Sequence, residues 1–469
     1  MSLLSRFPSN LTVPLIVACA LFMENLDSTV IATSLPALAI DLHENPIALK
    51  LALTSYIVSL AVFIPISGWM SDRFGSLTVF RTAIGVFMLG SIFCGMSNSL
   101  GGFVVARFFQ GMGGAMMVPV GRLVILRSVS RAELVKSLSY LTIPALIGPV
   151  IGPPLGGFIT TYFHWRWIFF INIPISILGI WLATKYIGNF KDEDVPPLDF
   201  KGFLYTAVGC SLLMLGLATA GRQLVSDTVA AACVAIGSLA LVAYTFHARR
   251  VAHPLIDFRL LRTQTFRMSV FGGAFFRIGV GAIPFLLPLM LQLGFGLNPF
   301  QSGLLTCASA IGALTMKTLT TKILRSIGFR NVLIFNAALG SLSVAAFGLF
   351  TAATPHLLLM AIVLVGGCIR SLQFTSLNAI AYADIDKRAL SQATSISSVA
   401  QQLAIGMGVT VGGLALQASN TAQGHATIVG ADFWPAFLCI GVISALSIPF
   451  AIRLPKDAGA ELSGRQRAS

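Results

Sequence analysis

Apolar residues in this chain gather into runs of about 20, separated by short polar breaks, from near the first residue to near the last. A soluble helix or strand would show one apolar face at period 3.6 or 2. Unbroken runs of this length instead mark helices that are apolar all round. At 1.5 Å per residue they are long enough to cross a bilayer core of about 30 Å. The pattern predicts fourteen such helices, at 11–35, 48–70, 79–98, 101–126, 137–161, 166–187, 201–220, 227–247, 268–292, 302–323, 331–350, 355–378, 392–416 and 431–452. The expected fold is an all-α polytopic membrane protein with no sheet. The first run continues to Leu35 without a small-residue cleavage site, so it reads as a span and not as a removable signal.

The breaks divide the spans. Six end near Gly188, and KDEDVPPLDFKG (191–202) then interrupts the apolar pattern with charge and proline. Spans seven and eight carry no charge at mid-depth and read as a plain, lipid-facing hairpin. HARRVAHPLIDFRLLRTQTFR (247–267) alternates basic and apolar residues, as a connector lying along a membrane surface would. Six more spans follow. The organisation is 6 + 2 + 6: an N-terminal bundle (1–188), a linker with two extra spans (189–267) and a C-terminal bundle (268–469). SDRFGSLTVFR (71–81) and ILRSIGFRNVL (323–333) echo each other after the second span of each six, as internal repeats do in secondary transporters.

Composition agrees. The 469 residues are 56% hydrophobic and 10% charged, with mean hydropathy +0.85, against about 25% charged in soluble domains. The formal charge of +14 would suggest nucleic acid if it were clustered, but its placement is topological. With the N-terminus inside, only Lys50, Arg166 and Arg222 fall outside, and Arg107, Arg122, Arg277 and Arg370 lie within spans. The remaining Lys and Arg are cytoplasmic or at the cytoplasmic edge. That bias sets both termini in the cytoplasm. All seven cysteines fall in spans with no CxxC pair, which reads as buried core thiols and neither a disulfide framework nor a metal site. No phosphate-binding G-x-x-x-x-G-K-[ST] occurs, no His lies mid-span and no catalytic triad is suggested, so neither an ATP-driven pump nor an enzyme is expected. No cofactor is implied.

Against this background LFMENLDSTVIATSLP (21–36) stands out. Glu24 and Asp27 are the acids placed deep in a span, where each costs roughly 3 kcal/mol on insertion scales. Three residues apart, they share one helix face, which Ser28, Ile31 and Ser34 or Leu35 continue. Asp27 lies about 12 Å from the outer end of its span and Arg107 about 9 Å from the outer start of span four, so the two match in depth. A carboxylate whose neighbours change between conformers can load and release a proton; a permanent Asp27–Arg107 pair that fixes packing is the structural alternative. In the other six, Arg277 and Arg370 have no acid at their depth. Arg277 is expected to face a cavity, whereas Arg370 can snorkel. Phe22, Met23, Phe275, Phe276 and Met290 offer adaptable apolar walls.

Three motifs carry a family resemblance. GWMSDRFGSLTVFR (68–81), with Gly68, Asp72, Arg73, Gly75 and Arg81, resembles the loop motif of the major facilitator superfamily. On the residues alone, Gly68 packs a span end and Asp72 accepts from Arg81 or from a helix terminus. VARFFQGMGGAMMVPVGR (105–122) is similar to the superfamily's fourth-helix pattern through Arg107, Gln110, Gly111 and Gly113. ALIGPVIGPPLGGFI (145–159) resembles its fifth-helix antiporter pattern through Gly148, Gly152, Pro153, Gly156 and Gly157. Glycines four apart leave a smooth face for close, movable contact, and Pro153 and Pro154 favour a bend. The span count, LDSTVIATSLP and the DFKG start of span seven resemble the fourteen-spanning drug:proton antiporters of the EmrB/QacA type. GGAMMVPVGR (113–122) looks closest to their MdtD/HsrA-like bacterial members.

The resemblance implies a major facilitator fold in a bacterial inner membrane and proton-coupled export of amphipathic drugs by alternating access. Helices one and four would both face the central cavity. Asp27 would carry the proton with Arg107 as modulator, and Glu24 would be a second protonation site or an anchor for cationic substrate. Phe22, Met23, Gln110, Phe275, Phe276 and Arg277 would line the substrate cavity. Partners are then a small molecule, protons and membrane lipid, with no nucleic acid and no assigned adaptor or outer-membrane channel. A narrow metabolite exporter, or a non-transporting sensor or scaffold, remains the alternative.

Overall fold

The computed structural model describes residues 9–128, 134–191, 195, 197–219, 226–251, 254–256, 258–385, 390–425 and 427–459. Among them every regular element is helical and no strand occurs. The long helices are α1 (Ser9–Val30), α2 (Lys50–Phe74), α3 (Ser76–Met96), α4 (Leu100–Ser128), α5 (Leu134–Tyr162), α6 (Asn172–Tyr186), α7 (Phe200–Thr219), α8 (Asp227–Ala248), α9 (Gly273–Leu289), α10 (Pro299–Ile327), α11 (Phe329–Phe347), α12 (His356–Ala381), α13 (Leu390–Gln423) and α14 (Phe433–Ala445).

Among the described residues twelve helical stretches are long and apolar enough to cross a membrane, two short of the sequence reading. The helices outside that set are α5 and α10, each 29 residues long. Helix α10 is diluted by Ser, Thr and Lys along its length, and much of the inner half of α5 has side chains outside the described set. The first span also runs further than expected. After Val30 a 3-10 turn (Ile31–Ser34) leads into a second helix, Leu35–Asp41, whose Pro36 needs no backbone donor in its first turn. Helix α9 is continued at both ends by π-helical turns, Met268–Gly272 and Met290–Gly294.

The two echoed segments form the same joint. Gly75 alone separates α2 from α3 with φ +94°, and Gly328 alone separates α10 from α11 with φ +84°. A side chain is strained at such a φ, so the antiparallel pairs can turn within one residue only at glycine. Gly75 is further hemmed in by Asn189, whose Oδ1 accepts from Leu77 N at 3.2 Å and caps the start of α3. At Gly68, by contrast, an added Cβ would meet nothing within 4 Å, so its expected packing role at a span end is not seen. Asp72 is half-buried, while Arg73 and Arg81 are exposed.

Helices α1–α6 pack on one another, as do α9–α14, and the two groups meet through α5 against α10 and α2 against α13. At the end where α1 finishes and α2 begins, one apolar cluster joins both groups. It includes Leu26, Ile31 and Leu35 from one side and Ile283, Leu286 and Val409 from the other. Gln292 Nε2 donates to Thr33 O at 2.9 Å and Phe300 N to Thr161 Oγ1 at 3.2 Å across the same junction. This end is closed.

The extra hairpin is only partly as expected. Helix α8 presents mostly exposed apolar side chains, but α7 packs on α2, with Cys210 and Met214 beside Val58 and Val62, and Met214 also reaches Gly406 of α13. Nor are the cysteines uniformly core: Cys94 and Cys210 are buried, whereas Cys19 and Cys439 are exposed. The connector is clasped to the hairpin. Tyr244 Oη accepts from Ile256 N at 2.6 Å, and Asp199 lies 2.7 Å from His247 Nε2 and accepts from Leu255 N. Burial opposes charge on Asp199, but the His247 contact and the Gly202 and Leu255 amides outweigh it and hold the carboxyl below its usual range. Residues 192–194 and 196 of the acidic break, residues 252, 253 and 257 of the connector, Arg222 and the Arg122 side chain lie outside the described residues.

Replacing Gly75 by Ala is expected to destabilise the fold by about 1–3 kcal/mol, because the alanine must hold a glycine backbone conformation. Gly68→Ala should be neutral. Thermal unfolding of the purified protein in detergent distinguishes them; equal melting temperatures would show that the Gly75 joint relaxes freely.

Candidate functional site

The site grows from the periodicity of α1. Thr29 Oγ1 turns back to Asn25 O at 2.9 Å, and the adjoining glycines of α5 sit on this face: Gly148 beside Asn25, Gly152 beside Thr29 and Gly156 beside Val30. Gly157 turns the other way, onto Pro299 and Phe300 of α10, and Gly303 of α10 lies on the Pro153 carbonyl. With no Cβ in the way, α5 touches both halves backbone to backbone. The helix continues through Pro153 and Pro154.

Asp27 points away from this joint, into the bundle of α1, α3, α4 and α6. Arg107 Nη1 donates to its Oδ2 at 2.6 Å, with both side chains 1% exposed. Gln110 Nε2 and Asn172 Nδ2 each donate to Oδ1 at 2.9 Å. Gln110 Oε1 accepts from Arg107 Nη1 at 2.6 Å, and Ser91 Oγ accepts from Gln110 Nε2 at 2.7 Å. The carboxylate thus meets three N–H donors from α4 and α6, and those donors are tied to one another and to α3. Charge-assisted bonds of this kind are strong where water is excluded, and breaking a buried pair costs about 3–5 kcal/mol.

Tyr56 of α2 links this cluster to the second acid. Its ring lies under the Arg107 guanidinium, 4.4 Å from Cζ, and its hydroxyl donates to Glu24 Oε1 at 3.2 Å. Glu24 is half-buried, as is Ser28, whereas Ile31 and Leu35 on the same stripe are sealed against the other half. The stripe therefore leaves the seal at Ser28 and Glu24, which keep partial exposure. One acid is closed in by donors; the other has one hydrogen bond and an open side.

The remaining cavity candidates divide. Phe22 is half-buried against the shared cluster. Met23 lies about 100° round the helix from Glu24, is 1% exposed inside the N-terminal bundle, and accepts from Ser176 Oγ at 3.2 Å. Gln110 belongs to the Asp27 shell and not to a cavity wall. Phe276 is 1% exposed and packs on Phe374, while Phe275 stacks on Phe450 with centroids 5.7 Å apart. Arg277 is buried, with Nη1 on Ser269 O at 2.8 Å and Nη2 on Asn378 Oδ1 at 3.1 Å. Met23, Gln110, Phe276 and Arg277 are thus turned inward by their helix register, against the cavity expectation. Sequence reasoning missed Tyr56, Ser91 and Asn172; each is an uncharged polar residue in a largely apolar helix, and Asn172 follows FFI in a run with no other mark.

Comparison with known proteins follows the same lines. The family profile described as Major Facilitator Superfamily matches residues 17–409 and 269–466. Relatives carrying the multidrug-resistance name MdtD are 37% identical, from Salmonella paratyphi A over 94% of each chain and from Salmonella typhi over 97% of each. Among solved structures, a POT family transporter in complex with a thioalcohol-conjugated peptide superposes with TM-score 0.71 at 15% identity, over 94% of each chain. A D-xylose–proton symporter superposes with TM-score 0.69 at 14% identity, over 96% of this chain and 98% of its own. At such identities these structures speak for the fold alone. The chain belongs to the Major Facilitator Superfamily and is accordingly a multi-pass membrane transporter, not an enzyme.

Proposed function

We propose that this chain is a proton-coupled exporter of amphipathic small molecules, working by alternating access in a bacterial inner membrane with fourteen spans and both termini cytoplasmic. The multidrug-resistance name of its relatives and its own antiporter-type glycine pattern in α5 support the class. The observation that carries the reading is the unequal exposure of two acids on one helix face, Asp27 enclosed and Glu24 open on one side.

In the arrangement described, the end read as periplasmic is sealed and Glu24 keeps partial exposure, which this reading takes as access from the other side. Glu24 is then the group that takes up and gives off the proton. Asp27 is its fixed neighbour, tied to Arg107, Gln110 and Asn172, which makes α1, α3, α4 and α6 move as one body. This exchanges the roles expected of the two acids from the sequence. Tyr56 transmits the state of Glu24 to that body, since its hydroxyl holds the acid and its ring holds Arg107. A neutral Glu24 passes the apolar junction at less cost than a charged one when the halves rock about the α5–α10 and α2–α13 contacts. A proton moving inward across 100 mV releases about 2.3 kcal/mol, which sustains roughly 50-fold accumulation of an exported solute.

In proteoliposomes with a trapped pH dye, a panel of anionic, neutral and cationic amphiphiles should elicit proton movement with the wild-type chain. Glu24→Gln is expected to lower that signal at least about tenfold while solute exchange continues; undiminished proton movement would remove Glu24 from the coupling step. Asp27→Asn should abolish both signals and lower thermal stability by about 3–5 kcal/mol, because Arg107 keeps its charge without its carboxylate. A fully stable Asp27→Asn protein would show that the pair does not hold the bundle together.

A further inference from the structure

The other half handles charge differently. Between α9, α10 and α12 lies a cavity of about 360 Å³, lined among others by Val280, Ser309, Lys317, Arg370, Phe374 and Asn378. Its α10 wall continues the stripe of Gly303, which touches Pro153 of the opposite half; Ala310 and Lys317 follow at seven-residue steps on the same face. The cavity therefore lies below the closed junction, on the α10 face that turns toward the opposite half.

Its polar equipment is cationic. Lys317 stands exposed at the mouth. Arg370, 7% exposed, uses Nη2 to donate to Ser309 Oγ, and its Nη1 has no hydrogen-bond partner among the described residues. Arg277 stands behind the wall and donates to Asn378 Oδ1. No Asp or Glu lines this cavity, and none of these three cations forms an ion pair among the described residues. Val280, Leu314 and Phe374 supply apolar surface between them. A buried guanidinium with an idle donor, a second cation at the entrance and apolar walls together suit an anion carried on an apolar body.

We propose that this cavity receives the anionic group, a carboxylate, sulfonate or phosphate, of the amphipathic solute that the chain transports, with Arg370 and Lys317 as its charge partners. The solute class is then anionic, and not the cationic one that an acid in α1 would anchor. The inference rests on the exporter reading only for the direction of movement. An anion leaving the cell is itself favoured by an inside-negative potential.

Binding is measured without flux, on the full chain in phosphatidylcholine nanodiscs, by equilibrium dialysis of four matched probes: naphthalene-2-sulfonate, naphthalene-2-carboxylate, naphthalene-2-carboxamide and 2-naphthylmethylammonium. The two anions should bind at least about tenfold more tightly than the ammonium probe. Lys317→Gln and Arg370→Gln should each weaken the anions by about five- to tenfold and leave the carboxamide unchanged. Lys317 is exposed, so its variant tests the site even if Arg370→Gln fails to fold. Equal affinity for the ammonium probe, or anion binding unaltered by Lys317→Gln, overturns the inference. Adding a few mole per cent of phosphatidylglycerol separates the sources. Unchanged probe binding supports a solute, whereas displacement assigns the site to a lipid headgroup and overturns the substrate role. Anion binding that persists without coupled flux would sink the exporter reading alone. Coupled flux with no anion preference would sink this inference alone.

Discussion

A charge inside a bilayer has to be answered by a partner within reach, because water and counter-ions are absent and desolvation costs several kcal/mol per ion. Helices α1–α6 answer it internally. Asp27 and Arg107 neutralise each other, Gln110 and Asn172 donate to the other carboxylate oxygen, and Ser91 accepts from Gln110. The rest of that half is organised around this contact, since its donors come from different helices and fix their rotation. Helices α9–α14 do the opposite. Arg277, Lys317 and Arg370 stand without a carboxylate partner among the described residues, held by Ser269, Ser309 and Asn378 where they are held at all. A half whose Arg107 is already paired, facing one with positive charge to spare, is an arrangement that favours an anion between them.

Small residues stand at the places where helices cross. Gly152 and Gly156 bring α5 onto α1, Gly157 and Gly303 bring it onto α10, and Gly281 and Gly408 bring α9 onto α13. Backbone-to-backbone contact of this kind has little side-chain interlocking to undo, so one helix can shift on another at small cost. At the closed end larger apolar side chains meet, among them Ile31, Leu35, Ile283 and Leu286.

Much of this is written locally and was legible. Runs of about 20 apolar residues announce helices, and the depth match of Asp27 with Arg107 follows from rise per residue. The echo of residues 71–81 in 323–333 corresponds to one shared turn at Gly75 and Gly328. What escaped the sequence depends on rotation about helix axes. Met23 and Gln110 are polarisable or polar and stand near the right depth, yet register turns them inward. Ser91, Asn172 and Tyr56 carry no pattern, because their meaning comes from partners up to 145 residues away. The helix count diverged for a physical reason as well: α10 trades hydropathy for Ser, Thr and Lys along its length.

The central claim is that the exchangeable proton resides on Glu24 while Asp27 stays bound to Arg107. Infrared difference spectroscopy across a pH step reads this directly through the carbonyl stretch of a protonated carboxyl group. The account requires a titrating band in the wild-type chain that vanishes in Glu24→Gln. A band of undiminished intensity in that variant would place the proton on another group and contradict the account.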